Sequence, residues 1–341
     1  MKYDVTIGIP VYRSEPYIRR ALEAALNQTY PSIEFLLIDD AGGDGSLAIM
    51  QEMQQTHQRG TALRIISHDK NLGVSASRNQ IIEEAQGTYL YFMDSDDTIA
   101  AHTISLLMQY VRQYDAEIVF GSYEKIETSG ERIVCQYPSL QLIGQDQLAA
   151  FAYRKYGGIQ ASACNYLVKT ALLRENHLYF IDTNYWEDLV FTFDLVTYVS
   201  RAVLLPDITY TYLCRESSLS HYQQREQISK EEVMQSVKAI GHLKDTSSLL
   251  YNKVYFPNRC YNIVMSDFYI ACTILRRRKN IQPSFTNKEI KLLMTHPATW
   301  KQISAFRQSR LKNQCFYLMG RLPSSLCVLV VWSLGKLKKL V

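Results

Sequence analysis

The first 120 residues alternate between short apolar segments and segments whose apolar residues recur at helical spacing. The short segments favour strands because they are rich in β-branched and aromatic residues, and they occupy residues 5–9, 33–38, 63–66 and 89–93. A helical segment follows each strand, beginning near Ser14, Ser46, Val74 and Ile99. Strands and helices that alternate in this way predict an α/β fold with right-handed crossovers.

Turn-forming or acidic residues follow three of the predicted strands. They are Pro10-Val11-Tyr12 after the first strand, Asp39-Asp40 after the second and residues 94–97 (DSDD) after the fourth. The carboxyl ends of parallel strands meet at one edge of an open sheet, and ligands bind at that edge. The sequence therefore predicts a binding site there.

The DSDD run holds Asp94, Asp96 and Asp97 within four residues. Carboxylates at this density repel one another unless a cation offsets their charge. Mg²⁺ or Mn²⁺ takes such oxygen ligands, often one or two carboxylates together with substrate phosphates. The alternative is that these residues cap the helix expected from Ile99, which explains Asp97 but not Asp94.

Asp39 and Asp40 can accept hydrogen bonds from a base or ribose, or they can serve as turn residues before Gly42-Gly43. The chain contains neither a G-x-x-x-x-G-K-[ST] loop nor a G-x-G-x-x-G fingerprint. These absences argue against a P-loop kinase and a dinucleotide dehydrogenase.

A second acidic pair, Glu187-Asp188, follows Trp186 and opens a predicted helix. One carboxylate can act as a general base toward a hydroxyl, and the tryptophan can form one wall of a sugar pocket. The alternative is that both acids only complement the positive end of the helix dipole.

The strand–helix alternation ends near residue 120. Residues 123–126 and 132–135 flank a turn and predict a hairpin. Two further strands are expected at residues 203–205 and 210–213. From Ser229 onward the pattern is mainly helical, with no further parallel strand expected. We therefore expect an α/β domain over residues 1–222 and a helical region over residues 223–341.

The net charge of +4 conceals an asymmetry, because residues 291–341 carry nine Lys/Arg and no Asp or Glu. The tail, residues 321–341, adds an apolar run with Trp332 and flanking lysines. This run is too short to span a bilayer and suits a helix lying on an anionic membrane surface. The alternative is packing against the protein itself. Seven irregularly spaced cysteines and an N-terminus without a leader pattern predict a cytoplasmic protein. The tail adds the expectation that the protein is peripheral at the inner face of the membrane.

Several motifs occur in a fixed order, and together they resemble glycosyltransferase family 2. The motifs are IGIPVY (7–12), NQTY (27–30), EFLLIDD (34–40), DGS (44–46), NLGVSASRN (71–79), DSDD (94–97) and WED (186–188). The resemblance covers about residues 1–220. It implies a GT-A fold, a Rossmann-like, nucleotide-sugar-binding mixed sheet flanked by helices, with a mainly helical C-terminal extension.

The resemblance also implies roles for the matching residues. Nucleotide-sugar contacts fall on Pro10, Val11, Tyr12, Glu15, Asp39, Asp40, Arg78, Asp94, Ser95, Arg215 and Ser218. Asp96 matches the ligand of Mn²⁺ or Mg²⁺, and His221 is a second metal candidate or a surface histidine. Asp188 matches the catalytic base, with Trp186 and Glu187 lining the acceptor and sugar pocket. Gly42 departs from the family pattern, which usually has serine there.

The resemblance implies inverting transfer from a nucleotide-diphosphate sugar, expected to be a UDP-sugar, to a hydroxyl of a glycan or lipid-linked acceptor in surface glycan synthesis. No nucleic-acid partner is expected. One alternative is a nucleotidyltransferase that makes a nucleotide-sugar, although the segment 10–14 lacks the glycine of a triphosphate loop. The other alternative is a noncatalytic sugar-nucleotide-binding protein.

Overall fold

The computed structural model of the chain describes residues 2–154, 158–215 and 226–341. Its internal contacts divide the chain into two units. The first unit contains residues 1–148, 161–184 and 191–218, and the second contains residues 149–160, 185–190 and 219–341. Two short segments that precede residue 222 therefore belong to the mainly helical unit.

Four parallel strands form one half of the sheet in the first unit. They are β1 (Tyr3–Val11), β2 (Ile33–Asp39), β3 (Leu63–Ser67) and β4 (Gly87–Phe92), in the spatial order β3-β2-β1-β4. The connections contain α1 (Ile18–Leu26), α2 (Ser46–Thr56) and α3 (Val74–Glu84). Every residue of β2 is buried, as expected of a parallel strand covered on both faces. The predicted α/β alternation is confirmed in this half.

The other half of the sheet makes it mixed. It contains β5 (Thr98–Ile99), β6 (Ile118–Ile126), β7 (Arg132–Cys135), β8 (Leu140–Ile143), β9 (Tyr166–Lys169) and β10 (Arg201–Leu213). From β4 the order continues β9-β6-β10-β5, and β9 runs antiparallel to both of its neighbours. The predicted hairpin is confirmed by the antiparallel pairing of β6 with β7. Helices α4 (Thr103–Tyr114) and α6 (Thr170–Glu175) complete this region, and α5 (Gln147–Arg154) and α7 (Glu187–Leu195) each have residues in both units.

Asn165 joins two strands in the middle of this half. Its side-chain amide donates to the carbonyl of Gly121 at 2.6 Å, and its side-chain oxygen accepts from the Thr209 hydroxyl at 2.6 Å. A Cβ atom at Gly121 would lie 1.8 Å from that hydroxyl oxygen, so only glycine fits there. This contact fixes the course of β10, the strand that ends shortly before Arg215.

Three local expectations were wrong. Ile99 does not start a helix, because residues 98–99 pair with β10 and α4 begins at Thr103. Helix α1 begins at Ile18, and the Ser14 hydroxyl hydrogen-bonds Ser95 instead of capping it. The two strands expected within residues 203–213 form the single strand β10, interrupted only by register shifts against β6.

A buried carboxylate joins three strands at the edge opposite the predicted site. Glu34 is fully buried and accepts from the Thr6 hydroxyl at 2.6 Å and from the Gln86 amide at 2.8 Å. Its other oxygen accepts from Arg64 at 2.6 Å. The Thr6 hydroxyl also accepts from the amide of Gly87, the first residue of β4. One side chain thereby links the starts of β1, β2 and β4.

The second unit is mainly helical, as predicted. Its helices are α8 (Lys230–Ser247), α9 (Phe256–Arg276), α10 (Asn287–Leu293), α11 (Trp300–Ser304), α12 (Arg310–Arg321) and α13 (Ser324–Leu337). One expectation was wrong here, because β11 (Ile228–Ser229) and β12 (Ile281–Gln282) form a short parallel pair. Arg259 is fully buried on α9, where its guanidinium donates to the hydroxyls of Tyr153, Thr246 and Ser247.

Helix α13 contains the apolar run of the tail and packs on α9 and α10 through one face. Cys327, Val331 and Gly335, spaced four residues apart, are its buried residues. A Cβ atom at Gly335 would lie 2.9 Å from the Cys272 sulfur of α9, so the packing is close. Among the described helices, none combines the length and the apolar character that a crossing of the bilayer requires. The seven cysteines all lie within the described residues, and none of them is joined to another by a disulfide bond.

The Glu34 network yields a stability prediction. Glu34→Gln keeps the shape of the side chain but removes the charge that Arg64 pairs with and one of the two acceptor oxygens. We expect the free energy of unfolding to fall by roughly 2 kcal/mol, the scale for a buried group left without its partner. Urea denaturation followed by circular dichroism measures this change.

Glu52→Gln is the matched control, because Glu52 pairs with Arg19 at 2.6 Å with both side chains about half exposed. An exposed pair contributes little to stability, so the control should unfold at the same urea concentration as the natural protein. Equal losses in both variants would contradict the role given to Glu34.

Candidate functional site

Three loops at the carboxyl ends of β1, β2 and β4 contact one another directly. Val11 lies beside Asp39 in the sheet, so the first two loops start together. The Ser14 amide donates to the Ser46 hydroxyl at 3.0 Å, and the hydroxyls of Ser14 and Ser95 are 2.6 Å apart. The structure therefore gathers the predicted residues of all three loops at one edge of the sheet.

Glu15 and Asp44 hold the first two loops to each other. The Glu15 amide donates to Asp44 at 3.0 Å, and the Gly45 amide donates back to Glu15 at 2.9 Å. The glycine that departs from the family pattern belongs to the same contact. A Cβ atom at Gly42 would lie 2.6 Å from the backbone nitrogen of Arg13, so a serine would need the first loop to shift.

The neighbouring acids Asp39 and Asp40 have different surroundings. Asp40 accepts from the amides of Leu72 and Gly73 at 2.7 and 2.9 Å and contacts His68 Nδ1 at 2.7 Å. Its carboxylate thereby fixes the loop that enters α3, where Gly73 has a φ of 91°. Burial raises the pKa of Asp39, whereas hydrogen bonds from Ser67 and Gly42 act in the opposite direction. Asp40 thus has a clear structural role.

Arg78 forms an ion pair with Asp94. Its Nη2 atom lies 2.9 Å from Asp94 Oδ1, and its guanidinium lies over the Phe180 ring at 5.4 Å. Phe180 stacks on Phe191 at 3.9 Å, and its backbone amide and carbonyl both bond the Asn79 side chain. Arg78 is buried, so this cation is fixed by packing as well as by charge.

Arg215 forms a second ion pair, with Asp96. The Arg215 Nε and Asp96 Oδ2 atoms are 2.6 Å apart, and the guanidinium also lies over the Tyr17 ring at 5.0 Å. Burial raises the pKa of Asp96, and the charge of Asp94 raises it further. The two arginines thus offset a concentration of negative charge that is partly shielded from water.

Asp97 has a structural role that differs from the alternative of helix capping. It accepts from the Tyr210 hydroxyl at 2.6 Å and from the Leu213 amide at 2.9 Å, which ties this loop to the end of β10. Burial, reinforced by Asp94 and Asp96, raises the pKa of Asp97 to about 8. The sequence assigned no role to Tyr210, which lies five residues before the predicted Arg215.

The carboxylates suit a divalent cation only in part. Asp94 and Asp96 supply the oxygen ligands that Mg²⁺ and Mn²⁺ prefer. Burial and the charge of Asp94 raise the pKa of Asp96, and a bound cation would favour its ionised form. Within residues 2–154, 158–215 and 226–341, however, no three His, Cys, Asp or Glu side chains are grouped to hold a metal. A cation here would take most of its ligands from the phosphates of a substrate.

Trp186, Glu187 and Asp188 lie in the second unit, at the start of α7. Trp186 has a φ of 66°, and its carbonyl accepts the Val190 amide at 3.1 Å, which closes the first turn of the helix. Glu187 is buried and Asp188 is partly exposed. Two other predicted residues, Ser218 and His221, lie outside the described residues.

Comparisons with known proteins agree with this fold. The family model "Glycosyl transferase family 2" matches residues 6–167. Glycosyltransferase GlyG of Streptococcus pneumoniae is 25% identical over 63% of this chain and 72% of its own length. The chain spans only 17%, 72% and 50% of the lengths of three curated relatives that it matches.

Two solved structures resemble the whole chain. Residues 1–349 of TarS from S. aureus, in complex with UDP-GlcNAc, have a TM-score of 0.57 at 16% identity and cover 93% of this chain and 90% of that one. The mannosyltransferase PcManGT from Pyrobaculum calidifontis, in complex with GDP-Man and Mn²⁺, has a TM-score of 0.53 at 14% identity and covers 99% and 88%. These likenesses confirm the expected GT-A fold and do not by themselves define a substrate.

Proposed function

Because residues 6–167 form a glycosyl transferase family 2 domain, we propose that this chain is an inverting glycosyltransferase that uses a nucleotide-diphosphate sugar. The observation that carries the proposal is the pair of aspartates after β4, Asp94 and Asp96, each neutralised by an arginine at the ligand-binding edge of the sheet. A purely structural loop has no need to concentrate charge in this way.

The donor nucleotide would lie against the loops after β1 and β2. Tyr12 is exposed there, beside Pro10, Val11 and Glu15. Since Asp40 is committed to the amides of Leu72 and Gly73, Asp39 is the residue that we propose contacts the base. Asp94, Ser95 and Arg78 would face the ribose and the sugar, and Arg215 and Ser218 the diphosphate.

Asp96, with Asp94 beside it, would hold Mn²⁺ or Mg²⁺. When bound, the cation would offset the charge that develops on the departing diphosphate. The Mn²⁺ in the PcManGT structure supports this part of the proposal by analogy. His221 stays a second candidate for the same cation.

Asp188 would act as the general base. Its carboxylate would take the proton of the acceptor hydroxyl while that oxygen bonds to the anomeric carbon. The bond from the anomeric carbon to the diphosphate breaks on the opposite face, and the diphosphate leaves with the electron pair. Configuration therefore inverts, and no covalent sugar–enzyme intermediate forms. Trp186 and Glu187 would contact the acceptor and the sugar, as the resemblance to the family implies.

The substrates are the finer part of the proposal. We favour a UDP-sugar because the TarS structure holds UDP-GlcNAc, although the GDP-Man in PcManGT makes a guanine donor the first competitor. The acceptor would be a hydroxyl of a glycan or of a lipid-linked glycan, as the resemblance to the family implies.

A substitution at Asp188 tests the catalytic assignment. Asp188→Asn keeps the size of the side chain but removes the base, so transfer should fall by about two to four orders of magnitude. Donor affinity should stay unchanged, because the proposed donor contacts lie elsewhere. The measurements are donor turnover and calorimetry across UDP-, GDP- and dTDP-sugars with Mn²⁺.

Glu187→Gln is the matched control because it alters the adjacent carboxylate of the same helical turn. We expect it to have the smaller effect on turnover. If Asp188→Asn turned over donor as fast as the natural protein, the general base would be another residue. Donor binding without turnover in the natural protein, whatever the acceptor, would favour a noncatalytic binding protein.

We also propose that the chain is peripheral at the inner face of the cell membrane through α13. One face of this helix packs on α9 and α10, while the other face exposes Leu326, Leu329, Trp332 and Leu337. The Lys336 ammonium lies 3.9 Å from the centre of the Trp332 ring. Residues 291–341 carry nine positive charges and no negative one. An anionic lipid surface would therefore attract this face, whereas a second copy of the same face would repel it.

Paired substitutions on the exposed face test the membrane contact. Leu329→Glu with Trp332→Glu should abolish sedimentation with phosphatidylglycerol vesicles at low salt, because both the apolar burial and the charge attraction are weakened. Deletion of the whole tail is a poorer test, since it also removes the packed side chains Cys327 and Val331.

Leu249→Glu is the control, because Leu249 is an apolar side chain of the same unit that is more exposed than Leu329 and Trp332 but lies in the turn after α8. It should sediment like the natural protein, and salt should weaken binding of both. Equal sedimentation of the paired variant and the control would mean that α13 does not make the membrane contact.

A further inference from the structure

The two arginines of the site are held in different ways. Arg78 lies on α3, with its side chain only 6% exposed, and pairs with Asp94. Arg215 lies two residues beyond the end of β10, with its side chain 29% exposed, and pairs with Asp96. The first cation is fixed within a helix and against Phe180, whereas the second reaches Asp96 from a chain segment outside any helix or strand.

Arg215 pairs with the carboxylate of Asp96, which the proposed function assigns to a metal ion as a ligand. Its contacts with Asp96 and with the Tyr17 ring use the positive charge of the guanidinium, and a charge-assisted pair of this kind suits phosphate as well as carboxylate. A divalent cation and Arg215 therefore compete for Asp96 unless an anion is present to receive the guanidinium.

The charge balance of the site indicates when Arg215 can leave Asp96. Asp94, Asp96, Arg78 and Arg215 together carry no net charge when all four are ionised. A diphosphate that bears about two negative charges and a divalent cation with two positive charges preserve this balance only when they enter together. Either one alone leaves an uncompensated charge at a partly buried site, which is costly.

We propose that Arg215 is an exchangeable counterion, which neutralises Asp96 in the donor-free protein and passes to the diphosphate when donor and divalent cation bind together. This inference rests on the proposed function, and it adds the prediction that donor binding and cation binding are linked. The cation alone binds weakly because it must displace Arg215 into solvent. Donor and cation therefore bind cooperatively.

Binding of Mn²⁺ and of UDP to the intact protein tests the exchange without any measurement of activity. Arg215→Gln frees Asp96, so affinity for Mn²⁺ alone, read from the electron paramagnetic resonance signal of free Mn²⁺, should rise about threefold to tenfold. Affinity for UDP in the presence of Mn²⁺, read by calorimetry, should fall by a similar factor. A single substitution thus moves two affinities in opposite directions.

Two further variants keep the test decisive. Arg215→Lys retains the charge, so it should restore weak binding of Mn²⁺ alone and most of the UDP affinity. Arg19→Gln removes a surface cation that pairs with Glu52 on another part of the first unit, and neither affinity should change.

Three results would overturn the inference. Unchanged or weaker binding of Mn²⁺ alone in Arg215→Gln would mean that Arg215 does not compete for Asp96. Unchanged affinity for UDP would mean that Arg215 does not pass to the diphosphate. Absence of Mn²⁺ binding together with absence of UDP, GDP and dTDP binding in the natural protein would overturn the proposed function as well, which distinguishes that failure from the first two.

Discussion

Negative charge confined at one edge of the sheet is the constraint on which the site depends. Asp39, Asp94, Asp96 and Asp97 follow buried strands, and burial raises the pKa of three of them, Asp39, Asp96 and Asp97. The fold offsets this charge with cations from distant parts of the chain, Arg78 on α3 and Arg215 after β10. Hydroxyls and backbone amides stabilise the remaining carboxylates. A site built in this way is suited to a ligand that brings charges of both signs.

The parallel half of the fold could be predicted from the sequence because its signals are local. Strands such as β2 are short apolar runs, and the helices between them have regular apolar spacing, so each element is identified by neighbouring residues alone. The antiparallel insertion of β9 and the continuity of β10 depend on contacts between distant residues. Asn165 with Gly121 and Thr209 is one such contact, and no local pattern indicates it.

The same distinction applies to the site and the tail. The order of the motifs correctly predicted that the segments containing Tyr12, Asp39 and Asp94 lie together. It could not distinguish the structural role of Asp40 from the role of its neighbour Asp39. Nor could it indicate that Arg215 meets Asp96 across more than a hundred residues. In the tail, charge could be counted from the sequence, whereas the structure alone distinguishes the packed face of α13 from the exposed one.

The central claim is that the carboxylates after β4 bind a nucleotide diphosphate together with a divalent cation. Calorimetric titration of UDP into the natural protein and into Asp96→Ala, with and without Mn²⁺, tests it most directly. The account predicts that Mn²⁺ strengthens UDP binding to the natural protein and has no such effect on the variant, while circular dichroism shows both folded. Equal dependence on Mn²⁺ in the two proteins would contradict it.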